Sequence, residues 1–122
     1  MGIATLDIIN RVERYPAEDS EVRAVSQRRC RGGNATNTLT VLSQLGHDCA
    51  WAGVLPQDPD AIYIEELLHR QQIDLGSVRH LSSGKLPTSY ITLSVVNGSR
   101  TIVHLRDLPE YSAEWFLEDI DP

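Results

Sequence analysis

The stretch Arg31-Gly32-Gly33-Asn34-Ala35-Thr36-Asn37 sets two glycines ahead of two asparagines three residues apart, just before apolar residues at helical spacing. A carboxamide both donates and accepts hydrogen bonds, and glycine lets the backbone come close to a bound molecule. Such a corner suits an uncharged, hydroxyl-rich ligand, because each hydroxyl removed from water needs partners. The same residues equally make a plain helix start, with Asn34 capping the first turn. Asp7 and Asp19 add acceptors that could take two hydroxyls each. Taken alone, Asp7 also reads as a turn cap at a strand end, and Asp19 as a solvated carboxylate. His47, His69, His80 and His104 have no ligand spacing, and Cys30 and Cys49 form neither a zinc pattern nor a disulfide framework. Two free thiols in a reducing cytosol is the simpler expectation.

These residues need elements to hold them. Residues Gly2 to Asn10 read as a strand, and Asp19 to Arg31 as a part-exposed extended segment after the Tyr15-Pro16 turn. From Asn34, the spacing of Ala35, Leu39, Leu42 and Leu45 predicts a helix with an apolar face, stopped by Gly46. Cys49 to Leu55 is a short apolar run of the kind covered on both sides in a parallel sheet. Asp58-Pro59 supplies an N-cap and first-turn proline for a second helix lined by Ile64, Leu67, Leu68 and Gln71. The order strand, helix, strand, helix predicts an α/β fold.

Farther along, Thr88 to Val95 alternates, and Asn97-Gly98 signals a hairpin. A two-residue type I′ turn there sets Val95 opposite Arg100, Leu93 opposite Ile102 and Ile91 opposite His104. Arg100 then shares an apolar face, where it either covers that surface with its stem or seeks an anion. Ser112 to Glu118 reads as a short last helix. With Met1-Gly2-Ile3 opening inside an expected central strand and that last helix leading to no partner strand, a fragment of a larger fold is expected.

With 122 residues and 41% hydrophobic content, one domain with a core is expected. Seventeen acidic against eleven basic residues give a formal charge of -6, which argues against nucleic acid as a partner. Arg28-Arg29-Cys30-Arg31 is too short to track a phosphate backbone, though it leaves room for a local anion site. No stretch has the apolar length of a membrane span and no signal peptide opens the chain, so a cytoplasmic location is expected.

The segment from Gly2 to Gly46, with its "YP-x-ED-S-E" turn and "RGGNATN" corner, resembles the N-terminal part of the ribokinase-like (PfkB) sugar kinases, and the resemblance continues through "GSRTI". Leu39 and Pro56 stand where the broad family pattern has a small residue and a glycine, which favours the branch that phosphorylates ketohexoses. The resemblance implies a mainly parallel sheet with flanking helices plus a β-strand lid, the N-terminal part of a ribokinase-like sandwich. It implies that residues 1–122 form the sugar-binding portion, with lid strands within about 9–31 and 87–106 and the ATP-binding half absent. It assigns Asp7, Asp19, Gly33, Asn34 and Asn37 to the sugar, and Arg100 to the neighbourhood of the transferred phosphate. ATP and Mg2+ are the cofactors implied for a complete enzyme, which would convert fructose to fructose 1-phosphate, and K+ is an ion it would admit. A homodimer through the lid strands is implied too.

In such enzymes the catalytic base lies in a Gly-x-Gly-Asp stretch at a late helix start. That stretch does not occur here, so no catalytic residue is expected in this chain and no kinase activity from it alone. A sugar-binding or regulatory module without chemistry, and a pure dimerisation module, stand as alternatives.

Overall fold

The computed structural model describes residues 1–120. Its largest sheet has four strands in the order β2-β1-β7-β8. β1 (Thr5–Val12) runs antiparallel to β2 (Ser26–Gly32) and parallel to β7 (Lys85–Ser94), which in turn runs antiparallel to β8 (Arg100–Asp107). Between β2 and β7 the chain forms α1 (Asn34–Gln44), β3 (Cys49–Ala50), β4 (Gly53–Leu55), α2 (Pro59–Arg70), β5 (Ile73–Asp74) and β6 (Val78–His80). α3 (Ala113–Asp119) closes the order. The short strands pair in parallel, β3 with β5 and β4 with β6, so three of the five pairings are parallel and the expected α/β class is observed.

Alternation along β1 decides which side is buried. Leu6 and, partly, Ile8 join Trp51, Leu55, Ala61, Ile64, Leu68, Ile73 and Leu86 in one core. α2 packs there for the reasons legible in its sequence. Asp58 accepts from the Ala61 N–H at 2.8 Å, Pro59 occupies the first turn, and Ile64 and Leu68 are fully buried on one stripe. The second oxygen of Asp58 accepts from the Leu86 N–H at 3.0 Å, which ties the helix start to β7.

Three expectations need correction in detail. The first strand begins at Thr5 and runs on to Val12, while Gly2 bonds instead to Ala52 through its N–H at 3.2 Å. The apolar run from Cys49 to Leu55 breaks at Trp51-Ala52. The Trp51 indole is fully buried, lies over Gly53 and donates to the Gly2 carbonyl at 3.1 Å, so the chain changes partner strands there. The hairpin loop is residues 95–98, closed by Ser94 N–H to Ser99 carbonyl at 2.9 Å. A type I′ turn requires positive φ at both central residues, and Gly98 (φ 71) has it while Asn97 does not. Asn97 instead caps the loop, accepting from the Ser99 N–H at 3.0 Å and its hydroxyl at 2.6 Å. Leu93 therefore faces Arg100 and Ile91 faces Ile102, a shift of two that keeps every side chain on its expected face.

α1 forms where expected, but its apolar stripe is largely uncovered. Leu42 is 36% and Leu45 70% exposed, while the fully buried side chain of that helix is Thr36. The outer part of the sheet is likewise open. Every residue of β8 is exposed, including Ile102, Val103 and Leu105, and Tyr90 of β7 is exposed beside them. The segments 9–31 and 87–106 make up most of this open layer.

Candidate functional site

β2 ends at Gly32, which pairs with Thr5, and Gly33 then turns the chain into α1 with φ 103 and ψ 128. An L side chain is strained at that φ, and a Cβ on Gly33 would also collide with the Ile3 carbonyl. A Cβ on Gly32 would collide with the Asp7 carboxylate and come within 2.5 Å of the Thr5 hydroxyl. Both glycines are thus required by what surrounds them, and what surrounds Gly32 is a proposed ligand-binding carboxylate.

Asp7 is half-buried on β1 and accepts from the Thr5 hydroxyl through Oδ1 at 3.0 Å. Gly33, not Asn34, is the N-cap of α1, and no side chain caps that helix. Asn34 is instead the first helical residue, exposed, and its carboxamide has no hydrogen-bond partner among the described residues. That removes the capping explanation for this side chain and leaves both its donor and its acceptor open. Asn37 lies one turn on, exposed, with Oδ1 accepting from Arg31 at 3.1 Å.

Arg31 has a part in this corner that its residue type and spacing do not announce. From the end of β2 it donates to Thr36 at 2.6 Å, Asn37 at 3.1 Å and Thr40 at 2.7 Å, stitching the strand to the first two turns of α1. Burial lowers its pKa, and the charges of Cys30 and Asp7 oppose that shift. The one signal available in the sequence is its place two residues before the helix cap, where a long donor can reach along the following helix. The Thr36 hydroxyl also lies 2.8 Å from the Gly32 carbonyl, so the corner is held from inside by groups that are already satisfied.

Asp7 lies against Gly32, the residue before Gly33, and Asn34 and Asn37 follow in the first turn of α1. Asp19 is elsewhere. It lies at φ 54 in the exposed segment joining β1 to β2, beyond the Arg11–Ser26 end of that pair, and has no hydrogen bond or ion pair among the described residues. Arg100 is exposed on β8, on the same sheet face as Asp7 but two residue rows along, because Asp7 aligns with Ser89 and His104 while Leu93 aligns with Arg100. Ser89 Oγ and His104 Nδ1 are 2.9 Å apart, which continues a polar row from Asp7 across the sheet. Among the described residues no group of three or more His, Cys, Asp or Glu side chains is placed to hold a metal ion. No helix among them is long and apolar enough to cross a membrane.

A polar corner at a helix start on an α/β scaffold is consistent with many proteins, and comparison with known ones narrows it. The family model described as "pfkB family carbohydrate kinase" matches residues 1–119. The chain belongs to the pfkB family of carbohydrate kinases. It is 42% identical over 122 residues to a mouse ketohexokinase, covering 99% of this chain and 41% of that protein, so it spans well under half of the curated relative's length. In fold it is similar to a nucleoside kinase from Methanocaldococcus jannaschii, described as an archaeal member of the ribokinase family (TM-score 0.76, 22% identity, 87% of this chain and 35% of that one). It is also similar to an Arabidopsis thaliana ribokinase solved with ribose and ATP (TM-score 0.75, 24% identity, 85% of this chain and 34% of that one). The pfkB fold is therefore the frame in which the Gly32-Gly33 corner sits.

Proposed function

We propose that this chain is the sugar-holding portion of an ATP-dependent pfkB kinase that phosphorylates a ketohexose, with fructose converted to fructose 1-phosphate. The observation that carries the proposal is the unpartnered carboxamide of Asn34 beside the side-chain-free Gly32-Gly33 backbone and the Asp7 carboxylate. Asp7 accepts from ligand hydroxyls, Asn34 and Asn37 both donate and accept, and the Gly33 backbone approaches without a Cβ in the way. Asp19 is a further acceptor by the family resemblance alone, since here it lies beyond the Arg11–Ser26 end of the β1–β2 pair. Arg100 lies near the phosphate being moved. The ketohexokinase relative supports a ketohexose as the sugar, and the ribose and ATP of the Arabidopsis relative support a sugar and a nucleotide as the substrate classes.

ATP supplies the phosphoryl group with Mg2+ in such an enzyme, and K+ is an ion it would admit. The proton acceptor that such a kinase carries in a Gly-x-Gly-Asp stretch is not supplied here, since no such stretch occurs among the 122 residues. The chain itself holds the sugar and orients its hydroxyls, in the cytoplasm. Calorimetric titration with fructose is the test. Saturable heat in the millimolar range is expected, without ATP turnover, and absence of heat at tens of millimolar sugar would remove the proposal.

A second reading has its own observation. The open apolar layer of Tyr90, Val103 and Leu105 on β7 and β8 is the kind of surface two copies cover, and it supports a homodimer through the lid strands.

A further inference from the structure

Across the four-stranded sheet the register lines up Cys30, Asp7, Ser89 and His104 in one row on one face. Cys30, Asp7 and Ser89 are half-buried, and His104 is exposed. The next row along that face is isoleucine in three of its four strands, at Ile9, Ile91 and Ile102, so an apolar floor borders the polar row. Thr88 and Ser89 then show two ways of satisfying a strand hydroxyl. Thr88, buried on the opposite face, donates to the Leu86 carbonyl of its own strand at 2.9 Å. Ser89 Oγ reaches across instead, and its partner among the described residues is His104 Nδ1 on β8, 2.9 Å away.

A hydroxyl has one hydrogen and two lone pairs, so the bond to His104 leaves the rest of the Ser89 capacity open. A cross-strand pair that only steadied the hairpin would account for the bond, but not for its place beside Asp7. The Asp7 carboxylate accepts and cannot donate, and its Oδ1 already accepts from Thr5. A sugar hydroxyl that gives its hydrogen to Asp7 still has lone pairs, and once removed from water these need a donor. With strands about 5 Å apart, Ser89 is the next side chain that a ligand resting on Asp7 meets toward β8. When His104 donates through its Nδ1–H, the Ser89 hydrogen is free to be that donor.

We propose that Ser89 is a further sugar-contacting residue, donating to a substrate hydroxyl beside Asp7, and that His104 is a positioning residue that holds Ser89 in that role. The proposal rests on the sugar-kinase reading and adds to its site one residue from β7 and one from β8.

Calorimetric titration of the chain with fructose, and with deoxyfructoses each lacking one hydroxyl, tests it. Ser89→Ala is expected to weaken fructose about five- to tenfold, and Ser89→Cys, which keeps the shape but donates weakly, should fall with it. One deoxyfructose that binds the parent more weakly than fructose should bind Ser89→Ala as well as fructose does, because residue and hydroxyl are lost together. His104→Leu should lose about threefold or more, whereas His104→Asn, whose amide nitrogen can stand where Nδ1 does, should stay within about twofold of the parent. Combined with Ser89→Ala, His104→Leu should cost nothing further, since it acts through that hydroxyl. Near-ultraviolet ellipticity matching the parent shows that each variant is folded. Fructose bound equally by the parent and both Ser89 variants, or every deoxyfructose penalised alike in parent and variant, would overturn the proposal and leave the sugar corner standing. Losses that add in the double variant would overturn the role of His104. A parent that binds no fructose would remove the sugar reading and this proposal together.

Discussion

Asn34 shows how one side chain separates a scaffold role from a binding role. An asparagine that caps a helix costs about 1 kcal/mol when replaced by alanine. Here the cap is Gly33 and the Asn34 carboxamide has no protein partner among the described residues. Asn34→Ala is therefore expected to leave stability within about 0.5 kcal/mol of the parent, as an exposed helical substitution does. Fructose affinity should meanwhile fall about 10- to 100-fold, because the lost contact leaves a sugar hydroxyl unsatisfied. Urea unfolding beside sugar titration checks both halves. A loss of stability with sugar affinity intact would mean that the side chain serves the helix. Gly33 is the opposite case, since its backbone angle and the Ile3 carbonyl both exclude a side chain whatever the ligand does.

Among the elements, α3 is held by ions more than by burial, since none of its residues is buried. Arg79 of β6 donates to Asp119 at 2.7 and 2.9 Å and to Glu118 at 2.7 Å, with its guanidinium 4.8 Å from the Trp115 ring. The Tyr111 hydroxyl donates to the same Asp119 carboxylate at 2.7 Å. The hydrogen bonds from Arg79, then from Tyr111, lower the Asp119 pKa below its ordinary 3.8. Its contribution is thus present above that value and is lost as pH falls through the lower folded one. Burial first, then the bond to Asp119, raises Tyr111 from 10.0 to about 12. Its contribution is complete below 10 and is lost as pH rises toward 12. Tryptophan emission, with Trp115 on α3 and Trp51 fully buried, should be flat from about pH 4 to 10 and change on both sides. A transition near pH 7 would contradict this attachment, and Arg79→Ala should move the acid edge of the flat region up toward the ordinary carboxylate value.

What can be read from the sequence divides along the same physical line. α2 is legible because its cap, its first-turn proline and its stripe are local signals. The hairpin is legible in its faces, which follow from alternation. Its loop length is not, because that depends on whether Asn97 accepts positive φ or uses its side chain as a cap. The break at Trp51 arises from contacts with Gly2 and Asp74, 49 and 23 residues away in sequence, which no local pattern encodes. At the site, Gly33 and Asn37 announce themselves by type and spacing. Arg31 does not, because its three partners become neighbours only when the strand end meets the helix.

For the whole molecule, the notable feature is how much apolar surface stays open on a chain that spans 41% of the ketohexokinase it resembles. Leu45, the C-cap of α1, and Val103 of β8 are each more than half exposed, at 70% and 67%. A layer of this kind on β8, an edge strand with every residue exposed, favours self-association. Sedimentation is expected to show dimers forming over roughly the micromolar to hundred-micromolar range, and Val103→Lys should shift that range upward at least tenfold. A chain that stays monomeric throughout would remove the dimer proposal while leaving the sugar corner untouched.

The most direct measurement is a fructose titration of the isotopically labelled chain, followed through its backbone amide resonances. A polyol site at the β2–α1 junction requires saturable shifts concentrated at Asp7, Gly32, Gly33, Asn34 and Asn37, with α3 unmoved. Shifts that never saturate, or that spread across the surface while Gly33 and Asn34 stay still, would contradict it.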